Sequence, residues 1–160
     1  MARLKLNYKE GDWFMVPLQP DGFATGLVAR HDARGRVLGY FFGPRRDHPP
    51  SPSDIKGLQA GDAVMVCIFG GIGLLMGKWK VIAHSENWNR DEWPIPTFGR
   101  VTAISNIGWE VKYSDTLKRS TEQRISVEMA RELTPDRLCG YGSIETRLSR
   151  LLATDEPSDR

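Results

Sequence analysis

The residues best equipped for chemistry crowd positions 86–93, in the run SENWNRDEWPIP: Glu86, Trp88, Arg90, Asp91, Glu92 and Trp93. Carboxylates flanked by indoles suit the recognition of another protein better than the breaking of a bond. Tryptophan brings a large amphipathic surface to an interface, and the acids steer a basic partner while rejecting wrong ones. Glu86, Trp88, Asp91, Glu92 and Trp93 are therefore the candidate partner-binding residues. The competing reading folds both tryptophans back over a sheet face and leaves the acids as a solvated rim.

Other chemistry finds less support. His31, His48 and His84 do not fall at ligand spacing, so a metal site needs spatial convergence that spacing alone does not show. The run GGIGLLMGK has glycines that could cradle a phosphate, but Gly77-Lys78 is followed by Trp79, where a P-loop needs a hydroxyl. The glycines read instead as a turn between strands. Cys67 lies in an apolar run and Cys139 beside Gly140, neither with a neighbouring base to activate a thiol. A bridge between the two cysteines stays open. Arg34, Arg36, Arg45 and Arg46 cluster on a second hairpin and its proline-rich extension, either as a solvated tip or as a contact for an acidic partner or nucleic acid. No catalytic residue, metal ligand or cofactor is expected.

Composition narrows the class. The chain has 160 residues, 40% of them hydrophobic and 26% charged, enough for one domain with a proper core. A net charge of +2 is too mild for a nucleic-acid footprint. The N-terminal stretch MARLKLNYKEGDW lacks the apolar run of a signal peptide, and no run approaches the roughly 18 apolar residues of a membrane span. A soluble, cytoplasmic protein with no membrane partner is expected.

The elements that position these residues are strands first and helices last. Residues 13–16, 23–31 and 37–42 read as an antiparallel meander, with Pro20-Asp21-Gly22 and Asp32-Ala33-Arg34-Gly35 as its turns. Trp13, Val16, Phe23, Leu27 and Phe41 are its expected core. Residues 44–52 hold four prolines and read as an exposed loop, followed by one helical turn at 53–57 capped by Ser53. Gly61-Asp62 opens a strand at 63–69 that is buried on both faces. Strands follow at 79–83, 98–104 and 108–113, the last with Trp109, Val111 and Tyr113 on one face. Thr134-Pro135 is a helix start, and Ser143 caps a last helix with Ile144, Leu148, Leu151 and Leu152 along one stripe. The expected fold is α+β, an antiparallel β-rich sheet or partly closed barrel with short C-terminal helices. One domain over residues 1–153 and a flexible tail at 154–160 complete the reading.

The order of small features along the chain resembles the immunity protein 26 family. These are Gly11-Asp12 before the first strand, Pro17-Leu18 at its end, and Asp21-Gly22 followed by Gly26 in the second. Gly77-x-Trp79-Lys80-Val81-Ile82 and Pro94-Ile95-Pro96-x-Phe98 come next. Tyr141-Gly142-Ser143-Ile144-Glu145-x-Arg147-Leu148 is similar to the family's closing helix. The likeness spans residues 8–100 and continues more weakly to 150. It implies a non-enzymatic bacterial protein, made beside a toxin gene, that binds a cognate polymorphic toxin and neutralises it by occlusion. The proline-rich segment and the basic charge depart from the family pattern and leave the class of toxin open. Read from the residues alone, two alternatives stand beside it: a β-barrel-like nucleic-acid-binding module and a small hydrolase.

Overall fold

A computed structural model describes residues 5–153. The expected tail at 154–160 lies outside the described residues. Ten strands form two sheets: β1 (Asp12–Pro17), β2 (Phe23–His31), β3 (Arg36–Arg46), β4 (Met65–Gly70), β5 (Val81–His84), β6 (Phe98–Val101), β7 (Gly108–Tyr113), β8 (Arg119–Ile125), β9 (Thr134–Pro135) and β10 (Leu138–Cys139). The helices are α1 (Pro52–Ile55), α2 (Ile72–Leu75), α3 (Val127–Glu132) and α4 (Tyr141–Ala153). The six-stranded sheet runs β10-β4-β3-β2-β1-β5 and the four-stranded sheet β8-β7-β6-β9, so the fold is α+β with two antiparallel-rich sheets and, among the described residues, no closed barrel.

The meander forms as expected, with Trp13 opposite Leu27 and Leu27 opposite Tyr40. Period-two alternation sorts its side chains onto two faces. Phe14, Val16, Val28, Phe41, Cys67 and Phe69 pack on one face with Ile144, Leu148 and Leu152 of α4. Trp13, Leu27, Leu38, Tyr40, Phe42 and Ile68 pack on the other, against Phe98, Val111 and Leu117 at the second sheet. The six-stranded sheet is therefore a middle layer between α4 and the smaller sheet. Of the expected core, Trp13, Val16, Leu27 and Phe41 are buried, whereas Phe23 is half-buried at the end of β2.

Crowding at this middle layer dictates local sequence. A side chain at Gly39 would meet the Phe69 ring at 2.6 Å, so the β3 backbone must be bare where the rings cross it. Trp79 stacks on Phe14 at 5.5 Å and donates its indole N–H to the buried Glu145 of α4 at 2.9 Å. That bond satisfies two polar groups that burial would otherwise leave costly.

Several expectations are corrected. Pro44 lies within β3, not in a loop: β4 pairs only as far as Phe41, and the β2 register is irregular there, so a missing N–H breaks no ladder. Ser51, not Ser53, precedes α1, and its backbone N–H donates to Asp54 at 2.8 Å. Residues Gly61 and Asp62 end a 3-10 turn, Ala60–Asp62, and the strand starts at Met65. The glycine-rich run contains α2. The strand expected at 79–83 is β5, with Trp79 outside it, and the strand expected at 98–104 stops at Val101, leaving Ile104 fully exposed in a turn. Thr134-Pro135 starts no helix; it is β9, parallel to β6. The last helix begins at Tyr141, and Ser143 lies inside it.

Candidate functional site

The aromatic loop does not stand free. Residues 85–93 face residues 52–61 across a groove that holds two adjoining cavities of about 520 Å³ each. Trp93 and Glu92 border both cavities, as do Gly57 and Leu58 from the opposite wall. Ile55 and Trp13 close the groove below. The walls mix apolar and polar surface in about equal parts, with Lys56, Glu86 and Glu92 as exposed charged groups.

Each wall is pinned by its own sequence. The loop is turned by the 3-10 segment Arg90–Glu92, where the Asn89 side chain accepts from the Asp91 N–H at 3.0 Å. Beneath it runs Arg30 of β2, whose buried guanidinium donates to the Trp93 carbonyl at 3.1 Å and to Asp115 at 2.8 Å. Arg90 turns away from the groove and holds Glu10 at 2.7 Å and Asp115 at 3.3 Å. Burial raises the Glu10 carboxyl, but the bonds from Arg90 and the Trp88 indole more than offset this and hold it below the usual range. Asp115 is likewise lowered, first by Arg30.

The candidate partner-binding residues occupy unequal positions. Trp93 is 7% exposed and belongs to the core, edge-on to Trp13, Tyr40 and Phe42. Trp88 is half-buried: its ring stacks on Trp93 at 6.5 Å and lies over Gly11, whose φ of +89° and lack of a side chain make room for it. Glu86 and Glu92 are exposed on the groove, and Asp91 is exposed outside its lining. The structure thus joins Glu86, Trp88, Glu92 and the edge of Trp93 in one cleft.

The buried Asp12 lies at the groove's end, with His84 Nδ1 2.5 Å and Lys9 Nζ 3.1 Å from its Oδ1. The neighbouring Ser85 hydroxyl accepts the Trp13 indole N–H at 3.1 Å. Asp12 also accepts the Lys9 backbone N–H at 3.0 Å, so its bonds tie the chain before β1 to β5. Among the described residues no group of three His, Cys, Asp or Glu side chains is placed to hold a metal ion. Both cysteines are free and buried on neighbouring strands. The Cys67 thiol lowers Cys139 to about 6 by donating to it, with Arg147 and Arg137 adding to the effect.

Sequence reasoning missed the opposite wall, Arg30, Glu10 and Asp115. The wall, residues 52–61, carries no chemical motif, and the three charges come from segments far apart in the chain. A lone arginine inside the apolar stretch of β2 was the available signal, because such a charge is rarely buried without a partner.

Among the described residues no helix is long and apolar enough to cross a membrane. Comparison with curated proteins and with solved structures returns no match. The sequence profile of immunity protein 26 matches residues 9–109, a segment that contains β1 to β6 and both walls of the groove. The chain belongs to the immunity protein 26 family.

Proposed function

We propose that the protein neutralises a cognate polymorphic toxin by binding it, and that the groove between residues 52–61 and 85–93 is the contact surface. The observation that carries this reading is that the family match encloses both walls of the groove. Glu86, Trp88, Asp91, Glu92 and the exposed edge of Trp93 make the contact, and the toxin is blocked by occlusion without catalysis. Affinity in such a surface comes from a few rigid anchors more than from area. Here the loop is held rigid from below by Arg30 and from the side by Glu10–Arg90. The protein acts in the cytoplasm of a bacterium that carries the toxin gene.

The nucleic-acid alternative weakens because three of its four hairpin arginines are engaged within the chain. Arg45 donates to the Gln19 and Asp21 carbonyls, Arg46 pairs with Asp54, and Arg36 pairs with Asp32. The test is co-expression with the toxin gene that neighbours this one. Wild type is expected to restore growth and to co-purify with the toxin. Continued toxicity at full expression of the folded protein would overturn the reading.

A further inference from the structure

A third cavity, of about 710 Å³, lies between the chain before β1, the β2–β3 turn and the β7–β8 turn. Leu6 and Ala33 give it apolar wall, while His31, Arg34, Arg36 and Lys118 line it with nitrogen. Its carboxylate, Asp32, is fully engaged. It accepts the backbone N–H groups of Arg34 and Arg36 at 2.9 Å each and the Arg36 Nε–H at 2.7 Å. Burial raises that carboxyl, but Arg36 and the two backbone donors outweigh it, so Asp32 stays an anion matched to Arg36. Arg36 also donates to the Leu117 carbonyl, which ties the two turns together. The charges left over are Arg34 and Lys118. Both are exposed, and neither side chain makes a hydrogen bond or ion pair among the described residues.

The β7–β8 turn links the cavity to the aromatic loop. Asp115 is bound by Arg30 and by Arg90 of the aromatic loop, and the next residue, Thr116, lines the cavity. The groove carries Glu86 and Glu92 beside Lys56, and the cavity carries Arg34 and Lys118. Two free cations around an apolar pocket suit one carboxylate beside an apolar side chain. They do not make the track of cations that a polynucleotide backbone requires, since the other hairpin arginines are paired.

We propose that this cavity is a second anchor for the partner, taking an acidic side chain carried next to an apolar one on the toxin surface. The identity of the partner rests on the function proposed above; the chemistry of the pocket does not. The test titrates the full chain with a blocked Glu-Leu-Glu tripeptide while backbone amides are followed by NMR. Saturable shifts are expected at His31, Arg34, Thr116 and Lys118. A Lys-Leu-Lys tripeptide should leave those amides unmoved. The double variant Arg34→Glu, Lys118→Glu, exposed at both positions and expected to melt like wild type, should weaken the tripeptide at least about tenfold, the scale of one charge-assisted hydrogen bond. It should weaken the toxin by a similar factor. Absence of saturable shifts, an unchanged tripeptide affinity in the variant, or tighter binding of a six-nucleotide oligothymidylate would overturn the proposal. Because the tripeptide needs no toxin, loss of toxin binding by wild type would sink only the earlier reading.

Discussion

Arg30 is the residue on which the aromatic loop depends. Its guanidinium is buried in the meander and spends its donors on the Ala29 and Trp93 carbonyls and on Asp115. Arg30→Met keeps most of the volume but leaves those acceptors unmatched, so a loss of about 1–3 kcal/mol is expected. Urea unfolding measures it, and amide exchange at Trp93 should quicken in the same variant. The two tryptophans should separate in parallel experiments. Trp93→Ala removes a core indole and should cost about 3–5 kcal/mol of stability. Trp88→Ala should cost far less stability but at least about 2 kcal/mol of toxin binding; unchanged toxin affinity in the folded variant would remove Trp88 from the interface. Glu10 adds a pH dependence. Its folded-state carboxyl lies below the ordinary 4.5, so its contribution is complete above that value and is lost as pH falls through the lower, folded one. Between about pH 5 and about pH 3, wild type should lose more stability than Glu10→Gln.

At the scale of elements, α3 and β6 meet without a spacer. A side chain at Gly99 would strike the Ala130 carbonyl oxygen and crowd Leu133, so α3 must lift if the position is filled. Gly99→Ala is expected to cost about 1–3 kcal/mol, seen as a lower melting temperature with weakened protection of the α3 amides; an unchanged melting curve would show that the helix is not packed this closely. The elements legible from sequence were those with one wet and one dry face, or two dry ones. The meander announces itself by its turns and their spacing, β4 by a nearly continuous apolar run, and β7 by period two. β8 did not, because residues 119–124 are exposed on both faces and show no alternation to read. α3 is a single short helix whose one buried side chain is Ala130, too little for a stripe. Thr134-Pro135 carries a real helix-start signal, yet pairing with β6 over those two residues prevails. The loop with Trp88 was visible as composition; the wall facing it was not, because only folding brings residues 52–61 across from it.

For the molecule as a whole, the net charge of +2 does not describe what an approaching partner meets. Glu86, Asp91 and Glu92 are exposed on or beside the groove, while Arg34 and Lys118 are exposed at the third cavity and make no side-chain ion pair among the described residues. The overall charge would weakly repel a basic partner, so any electrostatic steering toward the groove has to come from the local acids. Those acids sit at the rim, where charge governs the rate of encounter more than the lifetime of the complex. Glu86→Gln, Asp91→Asn and Glu92→Gln made together should therefore slow toxin association by about tenfold at low salt and leave dissociation nearly unchanged. The difference should fade as the screening length falls from about 10 Å at 0.1 M salt to about 3 Å at 1 M. Stopped-flow mixing across that range reads both constants directly. Equal association rates at low salt would show that the acids do not face the toxin. A deficit that persists at 1 M, or one that appears in dissociation instead, would place them in the desolvated centre of the contact and not at its rim.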